Sequence, residues 1–138
     1  ALPTAPRFAI DHLGIAVQSI EEALPFYQEV LGMGAATRET VESEKVRVAM
    51  LSAGESRLEL LEATAPDSVI AKYLERRGPG LHHVAIRVPD LAATAARITA
   101  AGGKVLGEPK IGAGGHRYVF VHPATTGGLL LELIEEHD

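Results

Sequence analysis

Two histidines and two glutamates recur at matching places in the two halves of this chain. The segment Ile10-Asp11-His12-Leu13-Gly14-Ile15-Ala16-Val17 returns in altered form as Leu81-His82-His83-Val84-Ala85-Ile86-Arg87-Val88, so His83 follows His12 by 71 positions. Leu58-Glu59-Leu60-Leu61 returns as Leu131-Glu132-Leu133-Ile134, and Glu132 follows Glu59 by 73. An internal repeat dictates architecture before any other feature does, and this one points to a metal bound where two half-sites meet. Two neutral imidazoles and two carboxylates suit zinc, manganese, cobalt, nickel or ferrous iron, with positions left for water or substrate. The residues do not choose among these ions.

The elements that must carry these four side chains follow the same repeat. Ile10 to Val17 alternates as a strand does, and Ser19 with Glu22 offers a capping box for a helix leading to Leu31, ended by Gly32 or Gly34. Pro25 lacks an N–H and clashes with the preceding turn, so the reading expects an irregular first turn in that helix. Strands follow near Ala35 to Val41, Val46 to Ser52 and Arg57 to Ala63. Asp67 to Arg77 reads as a connecting helix with Val69, Ile70, Tyr73 and Leu74 at helical spacing, closed by Gly78-Pro79-Gly80. The second half repeats the plan: a strand from Leu81 to Val88, an Asp90-capped helix ending at Gly102-Gly103, and strands near Lys104 to Pro109, His116 to His122 and Gly128 to Ile134. The expected fold class is α+β, with two tandem βαβββ modules whose sheets form a shared cup around a metal site. The chain is read as one domain of two repeats, residues 9–64 and 81–138, joined by a linker helix within 65–80. Each module covers one sheet face with its helix and leaves the other face free.

Strand parity selects what looks into the cup, because successive residues point to opposite faces. Leu13, Ile15 and Val17 form the bulky set facing the helix, which leaves Ile10, His12, Gly14 and Ala16 opposite. Val84, Ile86 and Val88 group with His82, so His83, Ala85 and Arg87 take the open side and His83 is selected over His82. Leu58 and Leu60 oppose Glu59, and Leu129, Leu131 and Leu133 oppose Glu132. The small residues Gly14, Ala16 and Ala85 leave room for a ligand. His12, Glu59, His83 and Glu132 emerge together.

Composition narrows the partners. The chain has 138 residues, 46% hydrophobic and 22% charged, enough for a substantial core. Its net charge of −5 disfavours nucleic acid, whose phosphates demand a basic face. Cysteine is absent, so a thiolate metal site is excluded and a transition ion must be held by nitrogen and oxygen. No secretory signal or bilayer-length apolar stretch is read, and the expected location is cytoplasmic, without a membrane partner.

Over nearly its whole length the sequence resembles the vicinal oxygen chelate superfamily, and within it the methylmalonyl-CoA epimerase family. The likeness is carried by Ile10-Asp11-His12, by Phe26-Tyr27-Gln28-Glu29-Val30-Leu31-Gly32, and by Glu59-Leu60-Leu61-Glu62. It continues in Gly80-Leu81-His82-His83-Val84-Ala85, Gly112-Ala113-Gly114-Gly115-His116-Arg117, Phe120-Val121-His122-Pro123 and Leu131-Glu132-Leu133. The resemblance implies that His12, Glu59, His83 and Glu132 are metal ligands, some relatives having glutamine at the place of Glu59. It implies an isomerase that interconverts (2R)- and (2S)-methylmalonyl-CoA by 1,1-proton transfer through a metal-stabilised enolate, and a homodimer. Glu132 then serves one face of the substrate carbon while also touching the metal. For the opposite face the ungapped match is Val48, so Glu44, or else Glu42, is proposed at the strand entrance.

The loop from Gly112 to Arg117 suits an acyl-CoA substrate, with Gly114, Gly115 and Arg117 as contacts, and Lys104, Lys110 and Arg117 are candidates for the coenzyme A phosphates. Relatives carry a lysine after the proline of His122-Pro123, whereas this chain has Ala124. His116, His122 and His137 are assigned no ligand role. Rival readings on the same architecture are a glyoxalase I-like lyase, a ring-cleaving dioxygenase, which needs only a two-histidine, one-carboxylate triad, and a non-catalytic bleomycin-resistance-type binding protein.

Overall fold

The computed structural model describes residues 8–136, except the side chain of Ala113; His137 lies outside the described residues. Among the described residues eight strands and several helices appear in the order strand, helix, three strands, twice over, which is a mixed α+β fold. The contact pattern divides the chain into two compact units, one spanning His12–His83 and the other formed by residues 8–11 with 84–136.

In the first half of the chain, β1 (Ala9–Ala16) runs parallel to β4 (Ser56–Ala63), and β3 (Val46–Ala53) and β2 (Thr37–Val41) follow antiparallel, giving the order β2-β3-β4-β1. The helix α1 (Ile20–Pro25) starts where Ser19 Oγ accepts from the Glu22 N–H at 3.2 Å, as the capping signature requires. Its first turn is regular, with the Ala23 N–H reaching Ser19 O at 3.1 Å, contrary to expectation. The irregularity falls after Pro25: residues Phe26–Val30 are π-helical, and the Leu31 N–H reaches back five residues to Phe26 O. Proline supplies no N–H to the carbonyl four residues earlier, so the disturbance passes forward along the chain.

One face of this sheet, with Ile15, Ala49, Leu51, Leu58 and Leu60, packs on Ile20 and Leu24 of α1. The opposite face is partly covered, not free. The linker helix α2 (Val69–Arg77) lays Ile70, Tyr73 and Leu74 against Ala16, Val46, Val48 and Leu61. Its N-cap is Ser68, which accepts from the Ala71 N–H at 3.0 Å, and Asp67 instead pairs with Lys45.

The second half of the chain repeats the order as β5-β8-β7-β6, from β5 (Gly80–Val88), β6 (Val105–Ile111), β7 (Arg117–Val121) and β8 (Leu131–Glu135). The helix α3 (Leu91–Ala100), capped by Asp90, buries Leu91 against Val88, Val119, Val121 and Leu133. The last strand starts three residues later than Gly128, and a short helix α4 (Pro123–Thr126) intervenes, capped by His122 Nδ1 accepting from the Ala124 N–H at 3.0 Å. Among the described residues no helix is long and apolar enough to cross a membrane.

Candidate metal centre

His12, on β1, is 3% exposed; Glu59, on β4, is 7% exposed; and His83, on β5, is 4% exposed. Parallel register sets Gly14 beside Glu59 and His12 beside Arg57, so His12, Gly14 and Glu59 share the face opposite α1. His12 Nε2 is 3.1 Å from His83 Nε2 and 3.5 Å from Glu59 Oε2. One ligand atom from each of the three residues lies within 4.8 Å of the others, all inside the His12–His83 unit.

This donor set fits a divalent ion. Two imidazole nitrogens bonded to one ion at about 2.1 Å stand roughly 3.0 to 3.4 Å apart for angles between a right angle and the tetrahedral one, and the observed Nε2–Nε2 distance falls in that interval. A carboxylate removed from water needs a compensating cation or several strong donors. Nitrogen and carboxylate oxygen without sulfur suit zinc, manganese, cobalt, nickel or ferrous iron.

The space beside the histidines is already used. An ideal Cβ on Gly14 would lie 2.5 Å from His83 Nδ1 and 2.6 Å from Nε2, so the imidazole of His83 fills the volume a side chain would take. Ala16 is fully buried against Ile70 and its neighbours. The expectation that Gly14 and Ala16 leave room for a ligand is corrected: glycine at 14 accommodates the histidine ring, and alanine at 16 accommodates the linker helix.

Glu132 is 7% exposed on β8, in the other unit. It pairs in register with Ala85, as Glu59 pairs with Gly14, and its strand neighbours Leu131 and Leu133 pack with the α3 side. Glu132 therefore projects from the face away from α3, where parity put it. Glu44 ends a 3-10 turn, Glu42–Glu44, and is half-buried while Glu42 is exposed. Met50 is the residue of β3 in register with Glu59, and Glu44 lies in the turn before that strand begins at Val46. Glu44 is not among the residues gathered with His12.

The expected anion contacts do not converge. Lys104 leads into the start of β6, where Val105 pairs with Val121, whereas Lys110 and Arg117 sit at the other end of the same hairpin, where Ile111 pairs with Arg117. Arg117 Nη1 lies 3.4 Å from Glu135. Gly114 and Gly115 form an exposed tight turn with φ of 75° and 78°, which glycine adopts without strain. The Gly115 N–H is bonded to Gly112 O at 3.0 Å and the Gly112 N–H to His116 O at 2.9 Å, so two of the loop's donors are spent on the turn itself.

Two residues escaped the sequence reading. Arg57 shares the parity of Glu59, stands beside His12 in register, and is half-buried with Nη1 3.1 Å from Met50 Sδ; its parity was the available signal. Asp11 is 6% exposed and accepts from Arg87 Nε at 3.2 Å, both residues lying in the second unit. Nothing in the spacing announces that pair.

Residues 11–120 match the family described as the glyoxalase/bleomycin resistance protein/dioxygenase superfamily. The chain belongs to that superfamily. It is 35% identical over 127 residues to the ethylmalonyl-CoA/methylmalonyl-CoA epimerase of Cereibacter sphaeroides, covering 90% of this chain and 95% of that protein. The solved structure of methylmalonyl-CoA epimerase from Mycobacterium tuberculosis superposes with a TM-score of 0.91 at 33% identity, covering 99% and 94% of the two chains. A singly substituted methylmalonyl-CoA epimerase of Streptomyces coelicolor, in complex with 2-nitronate-propionyl-CoA, gives a TM-score of 0.88 at 38% identity, covering 93% and 94%.

Proposed function

We propose that this superfamily member is a metal-dependent isomerase that interconverts the two epimers of methylmalonyl-CoA. The observation that carries the proposal is the buried group His12, Glu59 and His83, with both Nε2 atoms and a carboxylate oxygen gathered on one side of a sheet. The epimerases among its relatives, one of them in complex with an acyl-CoA analogue, supply the substrate class.

In this reading His12, Glu59 and His83 hold the ion, and the family resemblance assigns Glu132, the repeat counterpart of Glu59, as a further ligand. A divalent ion bound there supplies Lewis-acid stabilisation of negative charge on the substrate oxygens, worth several kcal/mol. The carbon between thioester and carboxylate loses its proton to a carboxylate on one face and regains one from a second group on the other; each positioned group contributes roughly 10²–10⁴-fold. Glu132 takes the first role. We assign the second to Glu44 ahead of Glu42, because Glu44 is the half-buried one of the two.

Incubating one epimer with the metal-loaded chain and following the composition by chiral analysis tests the proposal. Relaxation to a mixture of both epimers, with the glutathione hemithioacetal left untouched, is expected. Retention of the starting epimer with each of the five metals, or turnover of the hemithioacetal instead, overturns it.

A further inference from the structure

We infer that His82 is a positioning residue for the metal centre, holding the ring of His83 so that its Nε2 faces His12 and Glu59. The inference rests on the metal reading given above. His83 Nε2 lies 3.1 Å from His12 Nε2, and the other nitrogen of the same ring, Nδ1, lies 2.9 Å from His82 Nδ1. A neutral imidazole has one N–H and one lone pair. If Nε2 gives its lone pair to an ion, Nδ1 of His83 carries the proton and donates it to His82 Nδ1, and the proton of His82 sits on its own Nε2. A hydrogen bond to the far nitrogen of a ligating histidine fixes both tautomer and ring orientation.

His82 is itself held. Its ring stands edge to face with Tyr73, centroids 4.9 Å apart at 88°, and with His83, centroids 5.1 Å apart at 88°. The Tyr73 hydroxyl donates to Leu81 O at 2.7 Å, which pins the tyrosine to the backbone one residue before His82. Tyr73 belongs to α2, whose Ile70 is buried in the core. The linker helix thus acts on the ligand through Tyr73 and His82, and the doubled histidine has a division of labour: His83 ligates, His82 aims it.

The test uses cobalt(II) as the probe, titrated into the full chain and read by affinity and by visible absorption. His82→Leu removes the acceptor and is expected to weaken cobalt binding 10- to 100-fold and to change the absorption spectrum. His82→Asn places a side-chain carbonyl near the position of Nδ1 and is expected to recover affinity to within a few-fold of the natural chain. Should His82→Leu not fold, ¹⁵N spectra of the histidines in the natural, zinc-loaded chain decide: His83 protonated on Nδ1 and His82 on Nε2 support the inference, and the reverse tautomers overturn it. Natural affinity and spectrum in folded His82→Leu, or no recovery in folded His82→Asn, also overturn it while leaving the metal reading intact. If the natural chain binds no cobalt, or binds it equally well as His83→Ala, the metal reading itself fails and this inference with it.

Discussion

The imidazole of His83 occupies the volume that a side chain on Gly14 would need. Gly14 has no left-handed φ to protect, so its backbone accepts alanine; what alanine displaces is the ring. Gly14→Ala is therefore expected to fold with a stability loss of about 1–3 kcal/mol from displacing the buried ring, while divalent-metal affinity falls at least about tenfold, as when a ligand's support is lost. Calorimetric metal titration beside thermal unfolding of the metal-free protein checks this. Equal affinities would mean that His83 binds from another position.

Glu59 offers a test of charge against coordination. Glu59→Gln keeps an oxygen at the site but removes the negative charge, so metal is expected to bind more weakly and turnover to persist. Glu59→Leu removes the oxygen, and both metal and turnover are expected to be lost. Metal content after dialysis and the epimerisation rate, measured on the same preparations, separate the two.

The Asp11–Arg87 pair predicts a stability effect distinct from the metal. Asp11 is nearly buried, and replacing it by alanine removes an acceptor that Arg87 uses at 3.2 Å. Disrupting such a hydrogen-bonded pair costs about 1–3 kcal/mol, which urea denaturation of Asp11→Ala in the absence of metal should register as a lower midpoint at unchanged slope. The cap of α1 is a smaller lever: Ser19→Ala should cost about 0.5–2 kcal/mol, since Ser19 Oγ accepts from the Glu22 N–H.

Much of this architecture is written in local signals. Ser19 and Asp90 cap the helices they announce, and parity along single strands correctly puts His12, Glu59 and Glu132 on the faces away from α1 and α3. Parity names a face but not what arrives there from elsewhere in the chain. Hence α2 reads in sequence as a mere linker although it packs on Ala16 and Leu61, and Gly14 as open space although His83 fills it. The same gap explains why Lys104 and Lys110, six positions apart in sequence, end up toward opposite ends of the β6–β7 hairpin. Alternation gives His82 the other face, yet at the start of β5 its ring reaches that of the adjacent His83. Glu44 stands near a matching position in sequence, and such nearness carries no information about the turn that sets it apart from Met50 and the rest of β3.

The most direct test of the central claim follows hydrogen at the reacting carbon. One epimer of methylmalonyl-CoA is incubated with the chain in deuterated water, then again after chelation, and again after the metal is restored. The account predicts deuterium at the carbon between the two carbonyl groups, abolished by the chelator and recovered on adding metal back. Thioester that stays unlabelled in all three, or label that enters at the same rate after chelation, would contradict it.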